Sequence, residues 1–266
     1  MIFSIDQYND SDIRNFSQDI NVKGYTILKN TISKKFLKKM ELEVIEKSWG
    51  NINNNSEVNI ITTNEKCTLS SSHNLVSLVS SFNELYNDKS IRLIYEKLMN
   101  SKSNFEKEIN SSYFFKRKES GSIKLHQDNA YFNLENGKEA LTFYIPIHYQ
   151  SKNRGTIFYY SGSHQMGDLV HVPEGNLGAS MCIEKNKNLK ILSNYKIDYL
   201  ELYPGDIVLH NALVVHGTLP NPGDIMCEAF NFTLFGENNF INNYKLNKYK
   251  NKLAIFLKSK KGKSDY

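Results

Sequence analysis

The 266 residues predict a mainly β fold with flanking helices, a sandwich or jelly roll. Short runs with strand-like alternation recur from about residue 111 to 237. Glycines fall between or beside these runs, where turns are needed. Helical spacing is confined to the flanks of this region, and many short strands with Gly-rich turns argue for two packed sheets.

In chain order, helical spacing places helices near 11–20, 33–48 and 82–99, the last carrying "FNELYNDKSIRLIYEKLM". These helices are expected to brace one face of the β core. The strand candidates are "SSYFFKRK", "GSIKLHQD", "ALTFYIPIHY", "GTIFYYSGSH", "YLELYPGDIVLHNALVVHG" and "EAFNFTLFGE". Gly121, Gly155, Gly162, Gly205, Gly217 and Pro222-Gly223 punctuate them. The Met166–Tyr195 stretch is long and polar in part, and reads as a lid inserted between strands. The tail from 238 onward is lysine-rich and reads as a basic helix or solvated tail.

One domain is expected over 1–266, with 1–110 as mostly helical support, 111–237 as the β core and 238–266 as the basic tail. With 40% hydrophobic residues the chain can build a sizeable core. No apolar run has the length of a membrane span, and the start "MIFSIDQYNDSD" lacks a basic n-region. Cys67, Cys182 and Cys227 are odd in number and lack C-x-x-C spacing, which points to a reduced, cytoplasmic setting. The net charge of +5 comes largely from the tail, and with few arginines and no groove-binding motif it argues against nucleic acid as a partner.

The chemistry-bearing residues are His126 and Asp128 in "KLHQDNAYF" and His216 in "VVHGTLPN", about ninety residues later. On a strand, residues two apart share a face, so His126 and Asp128 can meet one metal while Gln127 points away. A strand returning beside the first would bring His216. Two imidazoles and one carboxylate leave three adjacent coordination positions open, an arrangement suited to oxygen chemistry on iron(II). The H-x-D pair alone is a weak signal, and its setting between strands strengthens it.

Together "HQDNAYF", "GTIFYYSGSH", "YPGDIVLHNALVVHG" and Asn221 resemble the phytanoyl-CoA dioxygenase family of iron(II)/2-oxoglutarate oxygenases. The opening "INVKGYTILKNTISKKFLKKMELEVIEK" is similar to that family's first strand and helix, so the resemblance covers most of the chain. It implies a double-stranded β-helix (jelly roll, cupin-like) core, with His126, Asp128 and His216 as ligands of Fe(2+). It also implies O2 and 2-oxoglutarate as cosubstrates and a small-molecule substrate oxidised at a C–H bond. Asp128 favours hydroxylation, desaturation or a related oxidation, because halogenating relatives lack this carboxylate.

One departure stands out. The family carries an arginine ten or eleven residues after the distal histidine, to hold the far carboxylate of 2-oxoglutarate. Here Met226, Cys227 and Glu228 occupy that stretch, and no arginine follows Arg154. A buried carboxylate needs a cation or several donors, so either the anchor is replaced or the cosubstrate differs. Lys116 is the first candidate replacement, with Arg117 and Lys124 as rivals and Thr142, Asn231 and Thr233 as neutral donors. The plain alternative for Lys116 to Lys118 is a solvated basic cluster. Glu228 is expected to face solvent. A metal-dependent enzyme of the same fold without 2-oxoglutarate, or a noncatalytic binding protein, are the other readings.

Asn129, Tyr131 and Phe132 follow the proposed ligands and are expected to wall the entrance for substrate, against the commoner role of such aromatics in packing. His210, six residues before His216, can support a ligand by hydrogen bonding. His164 shapes the rim in the resembling family and is not a ligand. His73, His148 and His171 read as surface or loop residues.

Overall fold

A computed structural model of the chain describes residues 5–50, 58–63, 66–104, 107–116, 122–176, 179–184, 190–222 and 227–261. Only the backbone is described at 49–50, 58–63, 66–70, 116, 174–176, 179–180 and 260–261.

The first third alternates helices and strands: α1 (Asp10–Lys23), β1 (Tyr25–Leu28), α2 (Lys34–Gly50), β2 (Val58–Thr63), β3 (Lys66–His73), α3 (Leu75–Leu78), α4 (Ser80–Tyr86), α5 (Lys89–Met99) and β4 (Ser103–Asn104). Then follow β5 (Ser111–Lys116), the short helix α6 (Asn129–Phe132), β6 (Ala140–Pro146), β7 (Ile157–Tyr160), β8 (His171–Asn176) and β9 (Ala179–Ile183). Next come β10 (Ile197–Tyr199), β11 (Ile207–Asn211), β12 (His216–Thr218) and β13 (Cys227–Gly236), and α7 (Asn243–Lys261) carries the lysine-rich tail.

Asn9 starts α1 with a capping box to Asp12, and Gly24 ends it at φ +86°. A side chain at Gly24 would also collide with His164 and Val214, so this turn needs glycine twice over. The single helix expected at 82–99 is two helices. Asn87 closes α4, and the Asp88 side chain accepts the Ser90 N–H at 2.7 Å to open α5.

The large sheet runs β1-β11-β6-β13-β5-β3-β2, with β4 on β13, and the small sheet runs β10-β7-β12. A bridge between His126 and His216 extends the small sheet by one position. Chain segments therefore cross between two facing antiparallel sheets, which is the jelly roll. The helices cover one face of the large sheet. Leu141, Phe143 and Ile145 of β6 point to them, as do Ile207 and Leu209 of β11 and Phe230, Phe232 and Leu234 of β13, packing on Met40, Phe82, Leu85 and Ile94. Phe143 and Phe232 are register partners and stack at 4.6 Å. Burial of each such side chain contributes about 1.5–3 kcal/mol. The alternate residues, Tyr144, Val208 and Ala229, face the small sheet and pack with Tyr159 and Val214.

The first third supplies strands as well as helical support, because β1, β2 and β3 join the large sheet. The Met166–Tyr195 stretch, expected as a lid, contains the β8–β9 hairpin, and 177–178 and 185–189 lie outside the described residues. Among the described residues no helix is long and apolar enough to cross a membrane.

Candidate metal centre

His126, Asp128 and His216 converge, with ligand atoms within 4.8 Å of one another. His126 and His216 exchange both backbone hydrogen bonds at 3.0 Å, which sets their rings side by side with centroids 4.2 Å apart. Asp128 arrives differently from the strand alternation expected. It has helical angles and opens α6, with its carbonyl accepting from Tyr131 and Phe132. Its Oδ1 lies 3.7 Å from His126 Nε2 and 3.5 Å from His216 Nε2.

The remaining polar atoms of all three residues are committed elsewhere. His126 Nδ1 is 2.8 Å from the Lys124 carbonyl and His216 Nδ1 is 3.0 Å from that of Val214. A carbonyl only accepts, so Nδ1 carries the proton in both rings and Nε2 offers its lone pair to the centre. Asp128 Oδ2 accepts from Thr142 Oγ1 at 2.6 Å and from His210 Nε2 at 2.9 Å. Thr142 has one proton and gives it to Asp128, so Thr233 donates to Thr142 across 2.9 Å. His210 Nδ1 in turn accepts from Tyr159 OH at 2.9 Å. Oδ1 is thereby left as the free carboxylate oxygen. The donor set and its orientation fit a divalent iron with open positions.

Burial lowers the pKa of both His126 and His216, which keeps them neutral and able to ligate. Burial alone would raise the Asp128 carboxyl. The His216 ring and the His210 hydrogen bond outweigh it and hold Asp128 well below the usual carboxylate range.

Gln127, between two of these residues, points away as its position on the chain suggests and is fully buried. Its side chain donates to the carbonyls of Gly167 and Leu213 and accepts from Leu169 N–H, while its backbone N–H donates to His171 Nε2. It ties the start of the 166–195 stretch to the segment that carries His126 and Asp128. Nothing in the sequence marked it. His171, expected on the surface or in a loop, is a buried strand residue because its ring fills this joint, and burial lowers its pKa to about 4. His73, also expected on the surface or in a loop, ends β3 and is half-buried between Ser71 and Ser112. His164 donates to or accepts from no ligand atom and rests on the Asn21 carbonyl.

Of the three expected entrance residues, Tyr131 alone borders a ligand ring, at 5.7 Å from His126. Its hydroxyl is held by Met181 of β9. Asn129 is buried and bonded to Leu134 and Asp168, and Phe132 packs with Leu134, Ala140 and Phe235. Both are occupied by the fold.

Thr142 is engaged with Asp128 and Thr233 with Thr142, whereas Asn231 lies farther along β13 and accepts from Asn110. The side chain of Lys116, and Arg117 and Met226 entirely, lie outside the described residues. Lys124 is exposed. Arg92 serves Asn87 and Arg154 lies over Tyr149. Cys227 shares strand parity with Ala229 and Thr233 and is buried at the inner face, 4.0 Å from the Gly155 carbonyl. Glu228 does not face solvent. It shares parity with Phe230 and Phe232, so it is buried on the helix side of β13, away from the metal centre.

No match is found among curated proteins. Solved structures share the fold at low identity. The S. alaskensis EctD with bound Fe is 13% identical with a TM-score of 0.71, covering 88% of this chain and 81% of its own. The epimerase SnoN in complex with Fe3+, alpha ketoglutarate and nogalamycin RO is 14% identical with a TM-score of 0.68, covering 88% and 87%. The carbocyclase SnoK, from nogalamycin biosynthesis and described as alpha ketoglutarate dependent, is 15% identical with a TM-score of 0.68, covering 89% and 87%. Residues 20–226 match the phytanoyl-CoA dioxygenase family, and the chain belongs to that family.

Proposed function

We propose that this chain is an iron(II)- and 2-oxoglutarate-dependent oxygenase that oxidises a C–H bond of a small molecule. The observation that carries the reading is the convergence of His126 Nε2, Asp128 Oδ1 and His216 Nε2 with every other polar atom of these side chains already engaged. When bound, iron(II) with oxygen and 2-oxoglutarate supplies the oxidation of an unactivated C–H bond, with 2-oxoglutarate converted to succinate and carbon dioxide.

The protein's own part is positioning and exclusion. Lys124 and Val214 carbonyls fix both imidazoles, and Thr142 and His210 fix the carboxylate plane. Tyr144, Tyr159 and Val214 belong to a buried hydrophobic cluster on the inner face, which limits water at the centre. Tyr131, joined to β9 through Met181, couples the lid hairpin to the side of His126.

A reaction of the same fold without 2-oxoglutarate is the second reading, favoured by Cys227 at the inner face in the stretch where the family carries arginine. Glu228, turned to the helices, does not oppose a dicarboxylate at the centre. Anaerobic titration of the iron-loaded protein with 2-oxoglutarate separates the two readings. A visible charge-transfer band on chelation is expected; its absence, with no succinate formed from any candidate substrate, removes 2-oxoglutarate from the reaction.

A further inference from the structure

On the other face of β13 from the iron centre, Glu41 of α2, His148 just after β6 and Glu228 of β13 bring their ligand atoms within 4.8 Å of one another. Glu228 is 1% exposed, and its Oε2 makes no hydrogen bond among the described residues. That oxygen points at His148 Nε2, 3.5 Å away. Beside it lies the hydroxyl of Tyr113, also fully buried and turned to the Glu228 carboxylate. Burial raises the Tyr113 phenol, and the nearby Glu228 charge raises it further. A buried carboxylate oxygen with no close hydrogen bond among the described residues is costly unless something else binds it.

We propose that Glu41, His148 and Glu228 form a second divalent-metal site, of the zinc type, separate from the iron centre. One imidazole and two carboxylates are ordinary zinc ligands, and a water completes the set from the side where His148 is a third exposed. Two carboxylates balance the charge of the ion. Among the described residues the other charged group facing the cluster is Lys38, whose Nζ lies 2.8 Å from Glu41 Oε2. Its side chain is 61% exposed, so its ammonium can turn to solvent when the metal takes Glu41, at the small cost of a surface ion pair. The Tyr113 hydroxyl can donate to the Glu228 carboxylate or to the bound water. Such a site joins α2 to the large sheet through β13, and its role is to hold the helical layer on the barrel. It takes no part in the oxidation.

The test uses the full chain with the iron centre disabled by His126→Ala and Asp128→Ala, stripped with chelator and dialysed against zinc chloride. Metal analysis is expected to find a single tightly held zinc ion per chain and a rise in melting temperature on adding zinc. Both are expected to be lost when His148→Ala is added, and likewise with Glu228→Gln. His148 is partly exposed, so its replacement leaves the fold intact, and circular dichroism verifies this. Failure of the disabled protein to retain zinc, or zinc retention unchanged by His148→Ala, would overturn the proposal.

Discussion

The orientation of Asp128 rests on a chain of two buried hydroxyls, and Thr142→Val tests that chain with little change of volume. Thr142 donates to a carboxylate at 2.6 Å, a charge-assisted bond worth about 1.5–3 kcal/mol. Its loss also strands the Thr233 hydroxyl, whose partner at 2.9 Å disappears, at about 1–3 kcal/mol more. The single variant should therefore lose about 4 kcal/mol of stability. Thr233→Val alone removes a neutral bond and leaves Thr142 on Asp128, costing about 1 kcal/mol. The double variant strands nothing, so it should lose only about 2 kcal/mol and be more stable than Thr142→Val. Urea unfolding of the metal-free proteins followed by circular dichroism measures all four corners without ligand linkage. Additive costs, with the double variant the least stable, would refute the donor order inferred from Thr233 through Thr142 to Asp128.

His210→Leu removes the other donor to Asp128 Oδ2 and should weaken iron(II) binding about 10–100-fold in competition with a chromogenic chelator, with the ligands themselves untouched. Gln127→Leu deletes three buried side-chain hydrogen bonds and should cost about 3 kcal/mol, with hydrogen exchange at Gly167 to Leu169 losing protection first. His171 is buried with a pKa lowered from the ordinary 6.5 to about 4, so the folded chain resists its protonation more than the unfolded chain does. Its contribution is full above pH 6.5 and is lost as pH falls toward 4, up to about 3 kcal/mol, and this part of the pH profile should flatten in His171→Gln.

The meeting of His126, Asp128 and His216 was legible because it depends on residue type and spacing, both visible along the chain. The jelly roll followed from alternation and glycine placement, and β6, β11 and β13 keep that alternation in full. His210 was legible as a supporter because it lies on the inner parity of β11 with Val208. The same rule, applied to β13, contradicts a solvent-facing Glu228: it shares parity with Phe230 and Phe232, so it must follow them into the helix-covered face. Asp128 was misplaced on a strand since the turn into α6 is a tertiary effect of the backbone pairing between Asn129 and Ala212. Gln127 and His171 carry no local signal. Their joint exists only because the lid folds back across forty residues of sequence.

The central claim is that His126, Asp128 and His216 hold one iron with positions left open for small ligands. Nitric oxide added anaerobically to the iron(II)-loaded protein probes both halves of that statement in one electron paramagnetic resonance spectrum. The wild type and Glu228→Gln should give the high-spin iron–nitrosyl signal, and His126→Ala, Asp128→Ala and His216→Ala should lose it. A full signal from any of the three ligand variants would contradict the assignment.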